Sequence, residues 1–380
     1  MRPNAPRPMP QRKGSVMSGL SRREFLRLAV LGLVAAALSG FLQACKSLTT
    51  LGSVATSAPP APSAAATASA TAAASATAAA SATATAAGTQ PSATPMPSAT
   101  QPASSTPAAS ASYPDLVVAR KGDPDTLVRR AIAALGGMER FVPRGANVVV
   151  KPNICVSYRT YEYAATTNPW VVGTLVKMAF EAGAKSVKVL DYPYGGDAAE
   201  AYANSGIAQQ VKAAGGQMVV MSDRKYVGTR VSAGRWLKQT SVYDDVLKAD
   251  VLINVPIAKT HGSATVTAGM KNLMGVVRDR SAMHGNLGQA IADLNTLVKP
   301  DLTVVDCVRI LTANGPSGGR LGDVKKLDTV VASADIVAAD SYTATLFGLK
   351  PNDLDYVRIG AAMGLGRSDL SKLKVQEFSV

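Results

Sequence analysis

The sequence predicts an α/β fold, in which a largely parallel β-sheet built from βαβ units carries helices on both faces, after a disordered N-terminal region. From residue 113 onward, short runs of β-branched residues alternate with helical stretches, which is typical of βαβ units. Residues 47–112 are almost entirely Ala, Ser, Thr and Pro and carry no Asp, Glu, Lys or Arg. Such a composition buries too little apolar surface to fold.

Each element of the predicted sheet follows from a local pattern. One helix is predicted over 124–135, because Asp123 is a good N-cap and Pro124 suits the first helical position; a second is predicted over 169–182 after Asn168. Residues 223–240 break the alternation and predict a hairpin or a flap. The predicted strands cover residues 116–119, 148–151, 187–190, 218–221, 251–255, 302–305 and 329–332.

Residues 1–45 have the features of a twin-arginine export signal. The motif SRREFLR at 21–27 is followed at once by an apolar stretch over 28–44, which is shorter than the roughly 20 residues that a membrane-spanning helix needs. A cleaved signal peptide is therefore predicted, with an uncleaved N-terminal anchor as the alternative. The segment ends in LQAC, which is similar to a bacterial lipoprotein cleavage box except at Gln43 and predicts lipidation of Cys45; a passive apolar thiol is the alternative.

These features predict where the protein works. The twin-arginine machinery would export the chain, and the N-terminal anchor would hold it at a membrane, at the cell surface or in the periplasm. Residues 46–112 would form a disordered tether with an end-to-end distance of roughly 45 Å. The folded domain, residues 113–380, would then stand clear of the membrane surface.

Charge and cysteine content exclude several classes of function. The formal net charge is +14, but residues 1–46 carry half of it, and the remainder is spread through residues 113–380 without a basic run. Nucleic-acid binding is therefore not predicted. Three cysteines without a C-x-x-C pair argue against a disulfide scaffold, a structural zinc site or an iron–sulfur cluster. A disulfide between Cys155 and Cys307 stays possible after export.

Polar side chains follow four of the predicted strands. They are Lys151 with Asn153, Asp191, Lys259 and Asp306. Ligands of open α/β sheets bind outside the carboxyl ends of the strands, so these side chains are candidates for a site. The alternative is that loops are polar because they are solvated.

The stretch 254–285 contains both histidines of the chain and has few carboxylates. A helix is predicted over about 265–274, whose N-terminus near Gly262 and Ser263 would offer free amides to an anion. Lys259 and His261, two apart in an extended loop, would point to the same side. Asp279 is the one acidic residue in the stretch. The cationic and titratable residues are Lys259, His261, Lys271, Arg278, Arg280 and His284.

This composition predicts an anion site rather than a metal site. The two histidines are too far apart in sequence for a short ligand motif, and the surrounding cations would repel a divalent ion. A histidine among lysines should titrate below its reference value and could serve as a neutral acid or base. A lysine in the same field could act as a base or nucleophile. For Lys271, a favourable place at the end of the predicted helix is the structural alternative.

Several motifs together resemble the bacterial and archaeal family called domain of unknown function 362. The resemblance spans nearly all of residues 113–366, implies an α/β fold and implies no particular activity. Some members carry a ferredoxin-like insertion with clustered cysteines, which this sequence lacks, so no iron–sulfur cluster is expected and the cofactor is unknown. The motifs are KPN at 151–153, TTNP at 166–169, EAGAKSVKVLD at 181–191, NVPIAKTH at 254–261, GMKNLMGVV at 269–277, His284, DLTVVD at 301–306, GPSGG at 315–319 and SADIVAAD at 333–340.

The KPN and TTNP elements are also distantly similar to the N-terminal region of nickel-pincer lactate racemases. That family's histidine pair and cofactor-bearing lysine match no position of this sequence. The similarity therefore carries little weight here.

The leading hypothesis is an exported, tethered enzyme that acts on a small carboxylate or phosphate compound. Lys259, Lys271 and Arg280 would fix the anion, and His261 or His284 would move a proton, with Lys259 as a further catalytic candidate. Lys151, Asn153, Asn272 and Asp306 would complete the ligand-binding set. The alternative is a solute-binding or sensing lipoprotein with the same pocket and no turnover.

Overall fold

The structure, a computed structural model, describes residues 112–380; the predicted signal peptide, Cys45 and the tether lie outside them. The strands are β1 (Leu116–Arg120), β2 (Asn147–Pro152), β3 (Ser186–Val189), β4 (Gln217–Met218), β5 (Tyr226–Arg230), β6 (Gln239–Tyr243), β7 (Val251–Val255), β8 (Ile257–His261), β9 (Thr265–Thr267), β10 (Leu302–Leu311), β11 (Val324–Ser333) and β12 (Val375–Ser379). The α-helices are α1 (Pro124–Ala134), α2 (Pro169–Glu181), α3 (Ala198–Asn204), α4 (Ile207–Ala213), α5 (Asp244–Leu247), α6 (Gly269–Asn272), α7 (Leu287–Leu297), α8 (Ile336–Thr345) and α9 (Asp355–Ala362).

Ten of these strands form one mixed sheet, with the order β12-β1-β11-β10-β7-β2-β3-β4, and β8 joins it by pairing with β10 and β9. The pairs among β10, β7, β2, β3 and β4 are parallel. The antiparallel pairs are β1 with β11, β10 with β11 and β8 with β9. The predicted α/β fold with a largely parallel sheet is confirmed.

Helices cover both faces of this sheet, as predicted. On one face, α1 to α4 pack against alternate residues of β1, β2, β3 and β7, such as Val117, Val148 and Val187. On the other face, α6 to α9 pack against the residues between them, such as Val149 and Leu252. Successive side chains of a strand point to opposite faces, so the β-branched runs of the sequence supply both cores.

The two predicted helices begin where their capping residues indicate. The Asp123 side chain accepts a hydrogen bond from the Thr126 N–H group at the start of α1, and the Asn168 side chain accepts one from Trp170 at the start of α2. Each helix has proline at its first position. This local chemistry explains why a sequence pattern located both helix starts correctly.

The predicted helix over 265–274 is wrong. Residues Thr265–Thr267 form β9, which pairs with β8, and only Gly269–Asn272 are α-helical, followed by a 3-10 turn over Leu273–Val276. Val266 and Thr267 are β-branched and gain a strand partner that a local pattern does not show. The predicted loop at Lys259 is also a strand, β8.

Other elements agree with their predictions in type and differ in length. β10 and β11 each run for ten residues, beyond the predicted 302–305 and 329–332, because they pair with each other. The predicted hairpin at 223–240 is present as β5 and β6. Cys155 and Cys307 are both free thiols, so the possible disulfide between them is not formed. Among residues 112–380, no helix has the length and apolar character to cross a bilayer.

Candidate functional site

A cavity of about 580 Å³ opens at the carboxyl ends of β2, β3 and β8. It collects side chains from segments that lie far apart in sequence. Its wall includes eight of the nine predicted catalytic and ligand-binding residues of the folded region: Lys151, Asn153, Lys259, His261, Lys271, Asn272, Arg280 and His284. The carboxyl edge of a parallel sheet has therefore brought these motifs together, as the fold class predicts.

Lys151 forms a fully satisfied ion pair at the bottom of the cavity. Its Nζ atom lies 2.7 Å from Asp191 Oδ1, 3.0 Å from Asn272 Oδ1 and 2.9 Å from the Pro152 carbonyl oxygen. Burial lowers the pKa of Lys151 and raises the pKa of Asp191. Three acceptors nevertheless require three N–H donors, so the amine stands as an ammonium ion.

Asp191 is equally well held. Besides Lys151, its carboxylate accepts hydrogen bonds from the Ile154 and Tyr192 N–H groups, at 2.5 and 2.9 Å. Gly275 lies against this pair, and a Cβ atom there would overlap both the Asp191 carboxylate and the Lys151 ammonium group. Only glycine leaves room for the pair in its present position.

Lys259 is buried but only partly satisfied. Its Nζ atom donates to Asn153 Oδ1 at 2.8 Å and to the Ala165 carbonyl oxygen at 2.6 Å. Asn153 is held in turn through its Nδ2 group, which donates to Asn272 Oδ1 at 3.0 Å. One of the three ammonium protons of Lys259 therefore stays available to a ligand.

Lys271 has neither a carboxylate nor another hydrogen-bond acceptor within residues 112–380. Burial, reinforced by the positive charge of Lys259, lowers its pKa from the ordinary value of 10.5 to about 8. The short helix α6 carries it, and the buried Asp340 carboxylate accepts hydrogen bonds from the first two N–H groups of that helix, of Gly269 at 2.5 Å and Met270 at 2.8 Å. Within the described residues, Lys271 is thus a cation without a counter-ion.

The two histidines line the cavity with opposite tautomers. The Ser263 N–H group donates to His261 Nδ1 at 3.1 Å, so the neutral ring carries its proton on Nε2. His284 Nδ1 lies 3.0 Å from the Arg280 carbonyl oxygen, which can only accept, so Nδ1 carries the proton and Nε2 has a free lone pair in the neutral form of this ring. Burial and the charges of Lys271 and Lys259 lower the pKa of His261 to about 3, which keeps that ring neutral at physiological pH.

Arg280 adds a further cation to the cavity wall. Its guanidinium group donates to the Tyr192 and Pro193 carbonyl oxygens at 2.8 and 3.1 Å and lies 4.7 Å from the centre of the Tyr192 ring. These contacts fix its position without neutralising its charge. Of the two carboxylates in the wall, Asp191 is paired with Lys151, and Asp279 bonds to Ser281. The cavity therefore carries a net positive charge.

Comparison with known proteins decides the family. The family model described as Domain of unknown function (DUF362) matches residues 148–345. The chain belongs to this family. It is 27% identical over 253 residues to the thylakoid-associated protein sll1697 of Synechocystis, across 63% of this chain and 74% of the relative. The resemblance that the sequence motifs indicated is confirmed.

Two solved structures match part of this DUF362 protein at low similarity. The lactate racemase apoprotein of Thermoanaerobacterium thermosaccharolyticum matches with a TM-score of 0.36 and 12% identity, over 56% of this chain and 53% of that chain. A protein of Thermotoga maritima matches with a TM-score of 0.38 and 12% identity, over 60% of each chain. The chain thus spans little more than half of each of these proteins.

Asp306 is the predicted site residue that the structure places elsewhere. It lies inside β10 rather than after its end, is fully buried, and is absent from the cavity wall. Its carboxylate accepts hydrogen bonds from the N–H groups of Asn168 at 2.7 Å and Val308 at 2.9 Å. Burial raises its pKa to about 6. Asp306 holds the TTNP segment of the DUF362 domain against the sheet, so its predicted role as a ligand contact is wrong.

Sequence reasoning missed several residues of the DUF362 cavity. Thr267 lines it, and its buried hydroxyl group has no hydrogen-bond partner in the described region; its strand was predicted as a helix. Tyr192, Tyr194 and Cys155 also contribute to the wall. The structural role of Asp340, which anchors α6, could have been predicted from the sequence, because a carboxylate within the apolar run SADIVAAD requires a buried hydrogen-bond partner.

The cavity shows no metal-binding arrangement in the part of the chain that the structure describes. No three His, Cys, Asp or Glu side chains of residues 112–380 come together there or elsewhere. The chemistry that the wall offers is mainly that of amines, two guanidinium groups and two imidazoles.

Proposed function

We propose that this DUF362 protein is an enzyme that binds a small carboxylate or phosphate compound in the cavity and moves a proton on it. One observation carries the proposal: the Lys271 ammonium group, with no acceptor in residues 112–380, shares a cavity with two histidines whose Nε2 atoms are unpartnered in the same residues. A half-buried cation without a counter-ion in the described residues favours an anionic ligand.

The anion would be held by Lys259, Lys271 and Arg280. Lys259 and Arg280 are held by backbone carbonyl oxygens, and none of the three cations is paired with a carboxylate in the described residues. Charge-assisted hydrogen bonds to a carboxylate or phosphate are about twice as strong as neutral ones. The Thr267 hydroxyl group supplies one more donor.

The two histidines would have different roles in proton transfer, because their neutral rings carry the proton on different nitrogen atoms. His284 has a free lone pair on Nε2 and is the candidate base. His261 presents an Nε2–H donor and is too weakly basic to take up a proton near neutrality, since its pKa is about 3. It would hydrogen-bond to an oxygen atom on which negative charge develops.

The experiment measures binding and proton transfer separately. Thermal shifts with a panel of carboxylates and phosphates test the anion site, and deuterium exchange of carbon-bound protons in ²H₂O tests the proton transfer. Lys271→Ala should abolish the shifts. His284→Asn should keep the affinity within a few-fold and lose the exchange.

Two outcomes would count against the proposal. Unchanged shifts in Lys271→Ala would place the anion elsewhere. Binding without exchange in the wild-type protein would favour the solute-binding alternative. Lys299→Ala is the matched control, because Lys299 is exposed and remote from the cavity wall.

We further propose that the protein works outside the cytoplasm, anchored to a membrane through residues 1–45. The SRREFLR motif and the apolar stretch after it support export, and LQAC supports lipidation of Cys45. The Synechocystis relative is named for its association with the thylakoid, which agrees with a location at a membrane. Mass spectrometry of the mature N-terminus tests this placement; an unmodified Cys45 would rule out lipidation.

A further inference from the structure

We propose that Lys271 forms an imine with its substrate, so that the cavity takes a small acid that also carries an aldehyde or ketone group. This inference rests on the proposed function, since it uses the same anion site and the same histidines. It narrows the ligand from any carboxylate or phosphate to one with a carbonyl carbon within reach of the Lys271 amine.

The geometry singles out Lys271 among the three lysines of the cavity. Lys151 donates to three acceptors and Lys259 to two. Both amines would have to break these hydrogen bonds to become nucleophiles. Lys271 Nζ has no hydrogen-bond partner in the described residues, so its lone pair becomes available as soon as one proton leaves.

The surroundings of Lys271 favour loss of that proton. Burial and the positive charges of Lys259 on β8, Arg280 in the loop before α7 and Lys151 on β2 lower the pKa of Lys271, while the Cys155 thiol acts in the opposite direction. His261 on β8 also faces the amine. With a pKa of about 8, roughly one tenth of the amine is neutral at pH 7, about 300-fold more than for an ordinary lysine.

The proposed step balances without an oxidant or a reductant. The neutral Lys271 nitrogen attacks the carbonyl carbon and forms a C–N bond while the C–O double bond opens. The carbonyl oxygen then leaves as water with the two protons that the amine nitrogen carried. The imine C–N double bond remains, and hydrolysis returns the amine and the carbonyl compound.

The imine explains why a base stands in the same cavity. Once protonated, the imine nitrogen withdraws electrons from the carbonyl carbon and acidifies the C–H bond next to it. His284 Nε2 can then take this proton and return it. The carboxylate or phosphate of the substrate stays paired with Lys259 and Arg280, which fixes the C–H bond relative to the base.

Reductive trapping tests the imine directly. The full chain is incubated at pH 7 with sodium cyanoborohydride and either glyoxylate or glycerone phosphate, which carry a carbonyl group with a carboxylate or a phosphate. We expect one reduced adduct, found by peptide mapping on Lys271, formed at least tenfold faster than on the exposed Lys299 and slowed by acetate or inorganic phosphate. Its rate should rise with pH toward a plateau, with its midpoint near pH 8.

Variants separate the failure of this inference from failure of the proposed function. Lys271→Arg keeps the charge and should keep the thermal shift with acetate or phosphate while losing the adduct; Lys299→Ala should keep both. An anion-induced shift in the wild-type protein without an adduct on Lys271 would overturn the imine and leave the anion site standing. Absence of both would overturn the two proposals together. Mapping the wild-type adduct keeps the test decisive even where a variant does not fold.

Discussion

The lysine side chains at the floor and at the rim of the cavity differ in whether the described residues neutralise their charge. By floor we mean Lys151, Asp191 and Asn272, and by rim Lys271, His261 and His284. Every polar group of the Lys151–Asp191 pair has a partner. On the rim, the Lys271 amine and the Nε2 atoms of both histidines have none within residues 112–380.

The difference shows that one sheet edge carries both a neutralised lysine and a lysine without a partner in the described residues. Removing one partner of a buried ion pair is costly, because the other charge is left in a medium of low polarity. The floor therefore fixes β2, the segment after β3 and α6 relative to one another. On the rim, Lys271 stands on the same α6 helix, but its charge has no partner in the described residues; under the proposed function, a ligand would supply that partner.

The largest difference in stability should come from the same substitution, to methionine, at Lys151 and at Lys271. Lys151→Met leaves the Asp191 carboxylate buried without its cation and should lower the free energy of unfolding by about 3–5 kcal/mol. Lys271→Met removes an uncompensated charge and should change that free energy by less than about 1 kcal/mol, or raise it. Urea unfolding followed by tryptophan fluorescence measures both. Equal losses would abolish the distinction between floor and rim.

Two glycines near the cavity offer a second comparison. An alanine Cβ at Gly275 would overlap the Lys151–Asp191 pair, whereas at Gly262, beside His261, it would meet nothing within 4 Å. Gly275→Ala should therefore destabilise the protein by about 1–3 kcal/mol, and Gly262→Ala by less than about 0.5 kcal/mol. Thermal and urea unfolding of both variants provide the check. If Gly275→Ala lowers the free energy of unfolding no more than Gly262→Ala does, the Lys151–Asp191 pair can shift to make room for the added Cβ atom.

The pH dependence of stability should report the unpaired charge on the rim. The pKa of Lys271 is about 8 in the folded state against 10.5 for an ordinary lysine, so between these values the unfolded chain binds the extra proton. The free energy of unfolding should then rise with pH across that window, by about 1–3 kcal/mol more than in Lys271→Met. Urea unfolding at about pH 7.5, 9 and 10.5, which spans the window between the two pKa values, compares the wild-type protein with Lys271→Met. If the difference in the free energy of unfolding between the two proteins does not change with pH, the pKa of Lys271 in the folded protein is not lowered.

The smallest effect concerns the histidine protons and leaves stability unchanged. ¹⁵N-detected NMR should show His261 neutral with its proton on Nε2 throughout neutral pH, since its pKa is about 3, and His284 with its proton on Nδ1. The variants His261→Asn and His284→Asn assign the two sets of signals. Titration of His261 near the reference value of about 6.5 would contradict the rim as described.

Local chemistry explains the parts of the fold that could be predicted. Capping by Asp123 and Asn168 involves residues two or three positions away, so the starts of α1 and α2 could be predicted from the sequence. The spacing of Lys259 and His261 likewise put both on one face of an extended segment. Polar residues after the strands of a parallel sheet then indicated where the cavity opens.

Long-range partners explain what could not be predicted. β9 exists because Thr265–Thr267 pair with β8, which no window over 265–274 reveals. Asp306 has the position of a ligand residue in sequence, but its carboxylate bonds to Asn168, 138 positions away. The histidine tautomers, by contrast, depend on backbone groups only two and four positions away, the Ser263 N–H group and the Arg280 carbonyl oxygen.

The sequence by itself determined the α/β class, the edge of the sheet that carries the cavity and eight of the side chains in its wall, because these follow from strand periodicity and from residues next to one another. Only the tertiary structure decided which lysine is neutralised. Lys151 meets Asp191 and Asn272 across 40 and 121 positions, and Lys271 meets no acceptor in the described residues. The pairing of buried charges depends on three-dimensional distance, and the order of residues along the chain does not record it.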